Sequence, residues 1–172
     1  MVDCLDMILS RRSIRAYTDE PVTQVQIEQL LRAAMSAPSA NNEQPWQFVV
    51  IDERELLDTI PDEVHPYAQM LKEAPVAILI CGEPRRQHHA GYWEQDCAAA
   101  TQNLLLAAHS LGLGAVWLGV HPREKRVRRM RRLLNLPDSL VPFALIAIGW
   151  PAEEKPPSDR YDPERVHYNR RE

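Results

Sequence analysis

Between Ser10 and Tyr17 the chain reads Ser10-Arg11-Arg12-Ser13-Ile14-Arg15-Ala16-Tyr17, three guanidinium groups and two hydroxyls within six residues and no acid before Asp19. Charges so crowded repel one another unless an anion sits among them. Arg grips phosphate through planar, bidentate, charge-assisted bonds and a serine adds a neutral donor, so the pattern suits a phosphorylated ligand. Taken alone, the run fits a solvated basic turn equally well. A second candidate is Ala37-Pro38-Ser39-Ala40-Asn41-Asn42-Glu43-Gln44-Pro45-Trp46. Its prolines stiffen it, and a loop already held in shape loses less entropy when it presents Ser39 and Asn42 to a ligand. As a plain helix-to-strand connector, its asparagines would simply make turns.

The third stretch, Gly112-Leu113-Gly114-Ala115-Val116-Trp117-Leu118-Gly119-Val120, is not a dinucleotide fingerprint. Trp117 stands where the third glycine would have to be, and the glycines follow a helix instead of opening one. Gly112 reads as a helix C-cap, and Gly119, near the end of a strand, would let a flat ligand approach the backbone. Cys81, His88, His89, Glu94 and Cys97 invite a metal reading that fails on spacing, since no C-x-x-C or H-x-x-x-H pair is present. His65 and Tyr67 read as half-exposed connector residues, although they could line a pocket. The arginines from Arg123 to Arg132 could touch nucleic acid or a dinucleotide phosphate; without interleaved aromatics they read better as a solvated helix face.

The elements that must carry these residues follow from periodicity and breakers. A short helix ends near Ser10, with Leu5, Ile8 and Leu9 expected to face inward. Thr23 and Gln26 form a T-x-x-Q capping box, and Ile27, Leu30, Leu31 and Ala34 repeat on one helical face, which predicts a helix over 24–36. A strand is predicted over 46–51, then short helices over 53–60 and 63–74 with Pro61 between them. The unbroken apolar run from Pro75 to Cys81 predicts a strand covered on both faces. From Trp93 to Gly112 the chain is helical and apolar nearly all round, so it should be covered by a second subunit as well as by its own sheet. A short buried strand, the arginine helix and a strand over 143–150 complete the domain. After Pro151 the chain turns polar and proline-rich and cannot build a core, and Tyr161 and Tyr168 favour its lying along another surface.

At 172 residues with 45% hydrophobic and 26% charged residues, the chain fits one ordinary globular domain. A net charge of -4 argues against general nucleic-acid binding. The apolar runs fall short of a membrane span, the N-terminus lacks signal-peptide character, and three widely spaced cysteines suit reduced thiols. A cytoplasmic protein is expected.

Four blocks in this order, Arg11-Arg12-Ser13-x-Arg15-x-Tyr17, Ala37-Pro38-Ser39-Ala40-x-Asn42-x-Gln44-Pro45-Trp46, Gly112-x-Gly114-Ala115-x-Trp117-Leu118-Gly119, and Arg160 with Arg165-Val166-His167-Tyr168, resemble the FMN-dependent nitroreductase family in its compact form. The resemblance covers nearly the whole chain. It implies an α+β fold of nitroreductase type, with a mixed central β-sheet, helices on both faces, and an intertwined homodimer holding FMN at the interface. Residues 1–150 would form the FMN-binding domain and 151–172 an extended tail of it, packed on the core or the partner subunit.

By position, Arg11, Arg12 and Ser13 match residues that hold the FMN phosphate and ribityl chain, and Arg160 matches one that closes on the phosphate. Arg15 matches a cation beside N1 and O2, where it would stabilise the charge left by two-electron reduction and raise the potential. Pro38, Ser39 and Asn42 match a loop reaching in from the partner. Trp117, Leu118 and Gly119 match the strand end against the isoalloxazine, with the Gly119 N–H a candidate donor to N5. The implied chemistry is ping-pong hydride transfer from NAD(P)H to a small nitroaromatic or quinone acceptor, with no membrane or nucleic acid involved and no side chain acting as acid, base or nucleophile. The chain departs from many relatives in ending Arg170-Arg171-Glu172 where they carry a Trp, and the lid over the flavin falls at Pro66–Met70 or Gly91–Trp93. Other readings are a flavin-fold enzyme of different chemistry, reductive dehalogenation or flavin destruction, and a non-enzymatic regulator using residues 123–132 on nucleic acid.

Overall fold

The uninterrupted apolar run becomes the middle of a sheet. In a computed structural model, which describes residues 3–88 and 91–170, strand β2 (Val76–Gly82) is buried at every residue. It pairs with β1 (Trp46–Ile51) on one side and β4 (Val141–Gly149) on the other, and β3 (Gly114–Gly119) closes the far edge in the order β1-β2-β4-β3. Side chains of a strand alternate between faces. Val76, Ile78 and Ile80 therefore meet α2 (Gln24–Met35) and α4 (Trp93–Ser110), while Ala77, Leu79 and Cys81 meet α3 (Arg54–Glu63) and α5 (Glu124–Leu133). Helices thus cover both faces, as expected. The sheet itself is not mixed: all three strand pairs are antiparallel, and among the described residues the one parallel pairing is the bridge from Ser13 to Ala115.

Local signals hold where the chain itself supplies the partner. The capping box on α2 is formed, with the Gln26 amide 3.2 Å from the Thr23 hydroxyl and the Thr23 amide 2.9 Å from the Gln26 side-chain oxygen. At the end of α4, Gly112 takes φ +77°, the Leu113 amide donates to the Ala108 carbonyl, and the Gly112 amide to that of His109. This pairing of caps turns the chain directly into β3.

Two expectations fail. Leu5, Ile8 and Leu9 of α1 (Cys4–Ser10) are 58%, 48% and 58% exposed, because α1 leans on α4 and among the described residues no helix or strand packs on its outer side. Pro61 lies inside α3, close enough to its end that the missing N–H interrupts only the last turn, and Pro66 then limits residues 64–74 to a single 3₁₀ turn at Gln69–Lys72. The tail runs along the chain's own first segment, bonding Ala16 and Arg12 and reaching the cleft beside Ile8 and Leu9, with Tyr161 and Tyr168 exposed in the single chain. His89 and the closing Arg171-Glu172 lie outside the described residues.

Candidate functional site

The arginine segment is held in place by its two apolar residues. Ser13 bridges Ala115 at the start of β3, and Ile14 seats against Gly114, where an added Cβ would stand 2.7 Å from the isoleucine Cγ2. Tyr17 is buried, with its hydroxyl donating to the Ile14 carbonyl at 2.7 Å. The chain leaving β4 runs back along this segment: the Ala152 amide donates to the Ala16 carbonyl, the Arg15 amide to Glu153 at 2.5 Å, and Lys155 Nζ to the Ser13 carbonyl at 2.8 Å. Lys155 thereby joins the cationic segment across more than a hundred residues. Nothing in its own surroundings in the sequence signals this.

Arg11, Arg12 and Arg160 line one cleft of about 220 Å3 at the end of α1, with Asp159 sharing its wall. The Arg11 pKa is lowered, first by burial and then by the Arg12 and Arg160 guanidinium charges, so positive charge gathers there against its own repulsion. Arg12 spends Nε on the Pro156 carbonyl and Nη1 on those of Leu9 and Arg11, while its Nη2 is buried without an acceptor. A buried donor left unmatched costs about 1–3 kcal/mol. His109, within hydrogen-bond reach of the Ser10 hydroxyl at 2.8 Å, has its pKa lowered by burial and then by Arg11 and Arg12. Arg15 projects its side chain outward on the same segment.

At the other end of β3, Trp117 is half-buried with its ring 5.8 Å from that of Phe143, and Leu118 turns its side chain into the core, so a ligand could meet only its backbone. Gly119 is unlike its neighbours. A Cβ at Gly114 would meet Ile14, one at Gly149 would meet Pro75 and Tyr17, and one at Gly82 would meet Trp93, but at Gly119 none of the described residues other than its chain neighbours lies within 4 Å. The Gly119 carbonyl accepts from Arg126 Nη1 at 2.8 Å and lies 3.1 Å from His65 Nε2. His65 is 3% exposed, a correction to its expected place on the surface, because Ala68 and Leu71 anchor its loop in the core beneath it. The arginine helix needs a similar correction. Arg126, Arg129 and Arg131 donate to the carbonyls of Gly119, Glu63 and Leu140, so this face is a set of tertiary tethers as much as a solvated surface.

Pro38, Ser39 and Asn42 lie apart from these residues. Their loop is folded on itself: Ser39 Oγ accepts from the Gln44 amide, Asn42 Oδ1 from the Gln44 side chain, and the Ala40 amide donates to the buried Asp96. Asn41 and Asn42 take the left-handed conformation that asparagine tolerates. The loop leads into β1, on the sheet edge opposite β3, three strand spacings or about 14 Å away. Within one chain it does not reach the arginine segment or Gly119.

Burial pushes the Cys81 thiol up to about 12 and raises Cys97 as well, and no cluster of three metal-ligating side chains occurs among the described residues. Among the described residues, no helix is long and apolar enough to cross a membrane.

An antiparallel sheet sandwiched by helices, with a cationic segment laid along its edge strand, is an α+β architecture. The model of the nitroreductase family matches residues 8–66 and 58–150, and the chain belongs to that family. It is 51% identical over 166 residues to a protein of Methanothermobacter thermautotrophicus named "Putative NADH dehydrogenase/NAD(P)H nitroreductase", covering 96% of this chain and 86% of that one. With the FMN reductase [NAD(P)H] of Bacillus subtilis it shares 30% identity, over 98% of this chain and 74% of the relative. Among solved structures, a Desulfovibrio desulfuricans protein named "putative nitroreductase in complex with fmn" superimposes with a TM-score of 0.84 at 34% identity, over 100% of both chains.

Proposed function

We propose that the protein is a homodimeric FMN-dependent oxidoreductase that uses NAD(P)H to reduce small aromatic acceptors such as nitroaromatics and quinones. The observation that carries this reading is the gathering of Arg11, Arg12 and Arg160 around one cleft, where the Arg12 and Arg160 charges bear on Arg11. A phosphate there would offset the repulsion among the three. The open side of Gly119, for which the chain's own packing gives no reason, suits the close approach of a flat ring. The names of the Bacillus relative and the Desulfovibrio complex agree with FMN as the group concerned.

Bound FMN would supply the hydride-carrying ring. The chain's residues bind and orient it: Arg11, Arg12, Ser13 and Arg160 hold the phosphate and ribityl chain, and Trp117, Leu118 and Gly119 offer a strand end on which the ring rests. Arg15 places a positive charge where reduction leaves a negative one, favouring uptake of electrons. Arg11, Arg12 and Arg160 also draw the anionic cofactor to the cleft.

A second copy completes the site. Met7 and Ile8 of α1, Ala33 of α2 and Leu106 and Ala107 of α4 line a groove of about 380 Å3, Leu5, Leu9 and Met35 are exposed on α1 and α2, and Ala98, Ala99, Leu106 and Ala107 of α4 are only half-buried. Apolar surface on this scale favours covering by another chain. Because the Pro38–Asn42 loop stands at the opposite sheet edge, the partner's loop is the one able to close over the flavin.

The visible absorption spectrum of the purified protein tests the cofactor directly. Wild type should show flavin bands with one FMN per chain, and the double variant Arg11→Ala, Ser13→Ala should fold as a colourless dimer. Full flavin content in that variant would refute the phosphate assignment.

A further inference from the structure

Two side chains from distant elements converge on one backbone atom. His65, just after α3, and Arg126, on α5, both reach the Gly119 carbonyl, at 3.1 and 2.8 Å. Resting on the cofactor reading above, we infer that His65 and Arg126 are positioning residues that pin the Gly119 peptide at the end of the edge strand, so that its backbone meets the flavin ring in one fixed orientation.

The pin acts where the regular ladder ends. As far as Gly119 the strand pairs regularly with β4, Gly119 lying opposite Ala144. Beyond it, the amides of Val120 and His121 both donate to the Phe143 carbonyl, at 3.1 and 2.9 Å, so the regular alternation of bonds ends. Glycine has the widest backbone freedom of any residue, and at the last position of an edge strand no side chain of its own restrains it. Two donors on its carbonyl hold from the outer side the same peptide plane whose Val120 amide bonds Phe143 on the inner side.

Stability does not account for His65. A carbonyl only accepts, so Nε2 carries the proton, and Nδ1 is left buried with no partner beyond its own residue's backbone. A buried unmatched nitrogen costs about 1–3 kcal/mol, and a phenylalanine in the same space would avoid that cost. What histidine adds over phenylalanine is the bond to Gly119. Arg126 is steadied in the same place, since its guanidinium lies 5.7 Å from the centre of the Tyr67 ring, which itself stands edge-on to His65. Tyr67, His65 and Arg126 therefore form a bracket around one oxygen.

The test compares wild type with Arg126→Met, His65→Phe and His65→Gln, the last retaining a donor. Amide hydrogen exchange is read over residues 114–120 in flavin-free protein, and FMN affinity by quenching of flavin fluorescence. Arg126→Met and His65→Phe should each speed exchange and weaken FMN binding by about two- to tenfold, the range of one hydrogen bond, while His65→Gln stays near wild type. Arg126 is half-exposed, so its variant leaves the core intact and decides the matter even if His65→Phe folds poorly. Wild-type exchange in Arg126→Met would overturn the inference, and so would faster exchange with unchanged FMN affinity. Wild-type protein that takes up no FMN would defeat the cofactor reading itself, a result visible before any variant is compared.

Discussion

At the scale of single residues, charge and space assign different duties to side chains that look alike in the chain. Arg11 lies among like charges and is ready for an anion, whereas Arg126 is committed to a carbonyl. Arg15→Ala should retain FMN and lower its potential by about 30–60 mV, the two-electron equivalent of a lost charge-assisted contact. Redox titration against reference dyes reads this, and an unchanged potential rules out the assigned role. The glycines make a sharper contrast. Gly149→Ala must push its Cβ against Pro75 and Tyr17 and should destabilise the fold by about 1–3 kcal/mol. Gly119→Ala meets none of the described residues other than its chain neighbours, so urea unfolding of the flavin-free protein should be unchanged while FMN binding weakens about tenfold or more.

Among the elements, α1 carries the clearest message, because its amphipathic pattern is genuine and its apolar side faces away from its own domain. A fully buried leucine contributes about 1.5–3 kcal/mol, so Leu5→Asp with Leu9→Asp should weaken dimerisation about a hundredfold or more. Sedimentation velocity should then show monomer at concentrations where wild type is dimeric, with flavin lost as the dimer parts. A dimer of wild-type strength would place the interface elsewhere. The arginine helix α5 teaches the opposite lesson. Its charge run resembles a solvated face, yet Arg126, Arg129 and Arg131 each tie it to another part of the fold.

For the molecule as a whole, acid should be felt before strong acid is reached. His65 and His109 have folded pKa values lowered from the ordinary 6.5, in both cases first by burial and then by neighbouring arginines. The unfolded chain therefore takes up protons first as the pH falls. Their contribution is complete above about pH 6.5 and is lost as the pH descends through the folded values, so the urea midpoint should decline below that point, less steeply in His65→Gln. A midpoint that stays level down to about pH 5 would contradict this.

Much of this architecture was legible in the chain, because it rests on interactions between near neighbours. The capping box on α2, the glycine cap after α4 and the strand of unbroken apolar residues at β2 all follow from spacing, and the crowding of Arg11 and Arg12 is plain in the chain itself. Tertiary structure alone decided the rest. Which side of α1 is covered, that His65 is buried, that Lys155 reaches Ser13, and that Arg126 meets the strand end at Gly119 are contacts between residues far apart in the chain. Such contacts depend on how layers stack and where edges fall, and local spacing carries no record of a partner that arrives from another element.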